Sequence, residues 1–215
     1  MKRRFYLLFC YKRKCTVNAA YSILVLCKLI GMKEKYGVGR YAIIAIIVAF
    51  LGWGFEMLLL YAIDGVWYDR GFLRLPLCPI YATAVMLTYF LLGTPQEGRG
   101  ILKKAHSKWV RYPIYLLICF VVPSAVEYLV GYYFHKRWNA RLWTYEHMPL
   151  QLGGYVCLPV SVGWTALLFL FMRWVFPLLK RWIGKLPKPL CNALAVVLVV
   201  LMALDTLTQA AALNG

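Results

Sequence analysis

"YAIIAIIVAFLGWGFEMLLLYAI" occupies positions 41–63, twenty-three residues with a single charge, Glu56. About twenty apolar residues in a helix cross a ~30 Å hydrocarbon core. Four further runs have similar length: Leu75–Leu92, Pro113–Phe134, Tyr155–Phe176 and Cys191–Leu213. The runs are continuous rather than alternating, which is the pattern of helices and not of barrel strands. With 62% hydrophobic residues and 8 acids against 25 Lys and Arg, the expectation is an all-α, polytopic transmembrane bundle of about five helices. The net charge of +17 in such a chain reads as anchoring charge beside an anionic leaflet, not as a nucleic-acid footprint.

The basic residues are unevenly divided among the loops. Residues 1–40 carry ten, 93–112 five and 173–189 five, against two in 64–74, three in 135–154 and none in the tail. The positive-inside rule then places the N-terminus in the cytoplasm and the C-terminus outside, in an inner or plasma membrane. Residues 1–40 read as a basic cytoplasmic segment, interfacial or disordered, and 41–215 as the transmembrane domain. Neither "FYLLFCY" (5–11) nor "AYSILVLCKLIGM" (20–32) is built like an export signal or long enough to span. The turn-rich "GTPQEGRG" (93–100) and "GKLPKP" (184–189) mark cytoplasmic connections.

Glu56 is the costly residue of the opening run. A charge at the bilayer centre costs ~2.5–3.5 kcal/mol on insertion scales, so it faces protein and finds a partner. The stretch it opens, E-x4-Y-x5-W-x2-R (Glu56, Tyr61, Trp67, Arg70), recurs 71 residues later as Glu127, Tyr132, Trp138 and Arg141. The simplest account is two copies of a helix–loop–helix unit in the same orientation, as in parallel-repeat transporters. Coincidence is the plain alternative, since aromatics and arginines are common at membrane exits. Glu56, Glu127 and Asp205 all fall roughly 21–22 Å along their outward helices, in the outer third of the core.

Two readings follow. The acids are structural ties, with Arg70 and Arg141 folding back over the helix ends to pair with them. Or they line an outward pocket with Asp69, Arg70, Tyr81, Tyr128, Arg141 and Tyr145, under tryptophan lids. Such a mixture of groups suits a zwitterion, a phosphate headgroup or a protonated amine. It also suits acid–base work on a lipid-linked substrate, with Glu56 or Glu127 as the catalytic candidate. No Walker A loop, GxSxG or HExxH is present, which leaves soluble-type nucleotide or hydrolase chemistry unsupported. His106, His135 and His147 are not at metal-ligand spacing, so neither a metal nor a cofactor is expected. Cys78 and Cys157 lie near outer helix mouths, where a disulfide is conceivable and free thiols are the simpler expectation.

"GWGFE" (52–56), "YDRGFLRLPLCPIYA" (68–82), "EY" (127–128), "RLWTYE" (141–146) and "GGYVCLPVSVGW" (153–164) occur in this order. Over roughly residues 38–180 the chain resembles the bacterial type IV ABC-transporter permease family, most specifically in "RGFL…P…PIY". Asp69 stands where that family has Asn, Leu75 where it has Gly, Thr144 where it has Asp and Gln151 where it has Asn. The resemblance implies a transporter-like membrane subunit handling a small polar or amphiphilic solute or a lipid headgroup. The implied partners are the lipid bilayer and an ATPase subunit or a second copy. A membrane-embedded transferase or hydrolase, and a non-catalytic assembly or regulatory protein, are the alternatives.

Overall fold

The computed structural model describes residues 36–65, 67, 73–104, 107–139, 141 and 143–214. The expectations for the N-terminal segment before Tyr36, and for Asp69 and Arg70, lie outside the described residues. Among the described residues five long helices make up the all-α fold: α1 (Val38–Asp64), α2 (Pro79–Leu92), α3 (Lys108–Trp138), α4 (Leu158–Gly184) and α5 (Lys188–Asn214). All but α2 are long and apolar enough to cross a membrane.

α2 is shorter than the run 75–92 suggests. Cys78 has an extended backbone and Pro79 opens the first turn, a position where its missing N–H costs nothing. At 14 residues the helix is roughly 21 Å long. The bend before it is tolerated because protein groups take its backbone donors. Cys78 N–H donates to the Ala49 carbonyl in α1 (2.9 Å), and Leu75 N–H donates to Asp205 Oδ2 in α5 (2.9 Å).

α4 runs past the expected end at Phe176, through a π-helical turn at Phe171–Val175. Pro177 supplies the reason. It has no N–H to offer the Arg173 carbonyl one turn back, and Gln96 Nε2 donates to that carbonyl instead, at 2.6 Å. The 93–107 connection is thereby seated on α4. Tyr115 Oη donates to the Gly93 carbonyl (2.9 Å), and Lys180 Nζ donates to Glu97 Oε1 (2.9 Å) while lying 5.2 Å from the Tyr89 ring centre. Tyr36 Oη donates to the Lys180 carbonyl at 2.6 Å, and burial pushes that phenol up to about 12.

α1 and α2 are antiparallel: Tyr41 meets Tyr89, and Gly52 meets Tyr81. α3 and α4 form a second antiparallel pair, with Tyr115 near Phe169 and Gly131 near Tyr155. α5 lies along α1, touching it where Gly39 faces Asn192. The core gathers at the end that carries the 93–107 connection, around Tyr41, Ile44, Tyr89, Leu92, Leu102, Tyr115, Met172 and Phe176. Among the described residues, the buried apolar side chains of α1 lie between Tyr41 and Ala49, whereas Phe55, Leu58 and Tyr61 are exposed. α1 is therefore packed in protein along its first half and exposes apolar side chains beyond it.

The Glu97–Lys180 pair is a modest contributor to this end. Its side chains are 39% and 20% exposed, and partly exposed pairs contribute ~0.2–1 kcal/mol. Lys180→Met is expected to lower thermal stability by no more than about 1 kcal/mol; a collapse of the fold in detergent would show that the pair holds the end together.

Candidate functional site

The residues around Glu56 are positioned by the bend before α2. Gly52 leaves room for the Tyr81 ring to lie on α1: a Cβ at position 52 would come within 2.6 Å of it. Cys78, at the N-cap, points its thiol at Glu56 Oε2, 3.5 Å away. Tyr81, one turn into α2, is within electrostatic range of Glu56, Cys78, Tyr145 and Glu127. Trp164 of α4 stands edge-on to both Tyr81 (5.4 Å) and Phe55 (6.0 Å), which closes one side with aromatic surface.

Glu127 is reached from the α3–α4 connection. Its two short strands, β1 (Gln151–Leu152) and β2 (Val156–Cys157), pair antiparallel, and Gly153 and Gly154 turn the chain with φ of +61° and +75°. Such left-handed positions favour glycine. Gly154 donates its N–H to Gln151 Oε1 (2.6 Å) and accepts the Tyr145 N–H (2.8 Å). Tyr145 is thereby held in a buried position, packed with Trp143, Met148, Cys157 and Val160, and its hydroxyl donates to Glu127 Oε1 at 2.7 Å. Glu127 Oε2 is buried with no hydrogen-bond partner. Cys157 occupies the N-cap position of α4, lies in electrostatic range of Glu127 and, like Cys78, forms no disulfide.

The structure therefore brings Glu56, Tyr81, Glu127 and Tyr145 together and adds Cys78, Cys157 and Trp164. Arg141 is engaged elsewhere: its guanidinium pairs with Glu146, five residues on. Thr144, where the resembling family has Asp, accepts the Glu146 N–H through Oγ1 at 3.4 Å. Tyr128 turns to a separate aromatic group, parallel to Tyr132 and perpendicular to Tyr155, whose hydroxyl is 2.5 Å from His135 Nδ1. Asp205 serves the Leu75 N–H rather than the acids. Trp67 stacks on Tyr61 at 4.5 Å, and Trp143 Nε1 donates to the Tyr155 carbonyl (2.8 Å).

The two thiols were the residues that sequence reasoning passed over as site members. Their signal is the placement of proline just after each, at Pro79 and Pro159, where a helix is about to start. Among the described residues no group of three His, Cys, Asp or Glu is placed to hold a metal ion.

Comparison with known proteins adds one result at the level of the family. No curated protein and no solved structure matches the chain. The family model described as "Putative ABC-transporter type IV" matches residues 43–210, which include all five helices in whole or large part and every member of the cluster around Tyr81. The chain is a multi-pass, transporter-like membrane protein, and it belongs to that family.

Proposed function

We propose that the chain is a transport subunit that recognises a small polar or amphiphilic solute at the Glu56–Tyr81–Glu127–Tyr145 cluster. The N-terminus and the end that carries the 93–107 connection face the cytoplasm, and the cluster faces outward. The observation that carries this reading is the buried Glu127 carboxylate, whose Oε1 accepts the Tyr145 hydroxyl at 2.7 Å while Oε2 has no hydrogen-bond partner. A structural tie for Glu127 would bring in Arg141 from the loop that follows it, and Arg141 is paired with Glu146 instead. The exposed side chains of α1 beyond Ala49 support access from that end. Asp69 and Arg70 complete the proposed recognition set, with Arg70 taking an anionic group of the solute.

A duplicated origin of the two helix pairs fits the same geometry. In each pair the returning helix starts with a cysteine at the N-cap position and a proline in its first turn, and the cysteine lies by the acid of the outgoing helix. An ATPase subunit or a second copy is the partner in this reading.

The test is reconstitution with an ATPase that co-purifies from native membranes. Hydrolysis that depends on the subunit should fall by about an order of magnitude in Glu56→Gln and Glu127→Gln, with folding intact, since each removes a charge-assisted contact. Variants that unfold in detergent would make the acids structural ties, and a monomer without an ATPase would remove the transport reading. The thiol of Cys78 against Glu56 favours one second reading, acid–base chemistry on a lipid-linked substrate. It requires Glu56→Gln to keep ligand affinity and lose turnover of such a lipid.

A further inference from the structure

Glu127 has one oxygen committed and one in want of a donor. Tyr145 satisfies Oε1 at 2.7 Å, and Oε2 is buried without a hydrogen bond. A buried carboxylate oxygen is costly to leave bare, so the chemical complement of this position is an N–H or O–H brought from outside the fold. The groups that act with Glu127 are the phenols of Tyr145 and Tyr81 and the thiol of Cys157, and Tyr81 is in turn within range of Glu56 and Cys78. Among the described residues no Lys or Arg acts on either Glu127 or Tyr81, and Arg141 is held by Glu146. Aromatic surface adjoins this group, since Trp164 stands edge-on to both Tyr81 and Phe55. The absence of a third metal-type ligand among the described residues turns the choice from a divalent ion to an organic cation.

Resting on the solute-binding reading above, we propose that the solute carries a protonated primary amine, which donates to Glu127 Oε2. The ammonium supplies the donor that Glu127 Oε2 lacks and a positive charge beside that carboxylate. A short alkyl portion lies along Trp164 and Phe55, where apolar contact favours it. A quaternary ammonium has the charge without an N–H and cannot complete Oε2. Tyr145 is the positioning residue: its hydroxyl fixes Oε1 and leaves Oε2 as the acceptor.

The experiment is ligand-dependent thermal unfolding of the full chain in detergent with n-butylammonium, tetramethylammonium, n-butanol and n-butyrate as probes. Butylammonium is expected to raise the midpoint in a saturable way, the other three far less. Glu127→Gln should weaken the butylammonium response by about tenfold or more, as expected for loss of a charged hydrogen bond. Equal shifts with butanol, or with tetramethylammonium, would overturn the requirement for an N–H donor. An unchanged response in Glu127→Gln would overturn the assignment of the site. Should Glu127→Gln fail to fold, the four-probe series on the unaltered chain still decides. A shift with butyrate alone sinks the amine and leaves the solute-binding reading standing, which separates the two failures.

Discussion

Replacing Gly39 by alanine is expected to pry α1 from α5 and to cost about 1–3 kcal/mol of stability, the range for overpacking a close contact. A Cβ at Gly39 would lie 2.8 Å from both the Cα and the backbone N of Asn192, and closer still to its side-chain oxygen. A side chain can rotate away, but Asn192 sits in the first turns of α5, and its backbone can move only with the helix. Small residues at such crossings are how membrane helices approach closely when lipid tails are as apolar as the side chains. Gly54 is the control in the same helix. Nothing lies within 4 Å of a Cβ built there, so Gly54→Ala should be neutral or gain up to ~1 kcal/mol through helix propensity. Thermal unfolding of both variants in detergent measures the contrast. Equal midpoints would mean that α5 is not packed on α1 as described.

The contrast also marks what periodicity and composition can convey. The apolar run at 41–63 announces a helix, because twenty-three residues with a single charge have few other fates in a chain this hydrophobic. Nothing in the run says which of its glycines is a contact and which faces open space. That distinction depends on where α5 lies, a long-range fact. The site was half legible for a similar reason. Glu56 and Glu127 stand out because acids are expensive in lipid, and Tyr81 and Tyr145 follow from their nearness to helix ends. Arg141 was readable as a partner of Glu127 by position, but Glu146, five residues away on the same connection, takes its guanidinium instead. Tyr128, next to Glu127 in sequence, is turned about 100° around the helix from it and joins Tyr132 and Tyr155 instead. The π turn in α4 was present in the sequence as Pro177, yet its partner Gln96 lies across the bundle.

Asp205 carries the second large effect. It was conspicuous in the sequence as the third membrane acid, at the depth of the glutamates. The structure gives it a different task, since its Oδ2 accepts the Leu75 N–H at 2.9 Å and so ties the bend before α2 to α5. Asp205→Ala leaves that amide without a partner among helices, where no water replaces it. The expected loss is about 1–3 kcal/mol, the cost of an orphaned buried donor. Asp205→Asn keeps a carbonyl oxygen in the same place and should recover most of the loss, because the interaction needs an acceptor more than a charge. The same bend presents Cys78 to Glu56, which gives the prediction a local readout beside the melting temperature. Maleimide labelling of Cys78, followed by peptide mass spectrometry, should accelerate in Asp205→Ala and stay near its original rate in Asp205→Asn. If both variants lost stability equally, the charge of Asp205 would be what matters, and its tie to the Leu75 amide would be incidental. If labelling of Cys78 were unchanged in Asp205→Ala, the bend would be held by its second anchor, the Cys78 N–H on the Ala49 carbonyl, and the site would not depend on α5 at all.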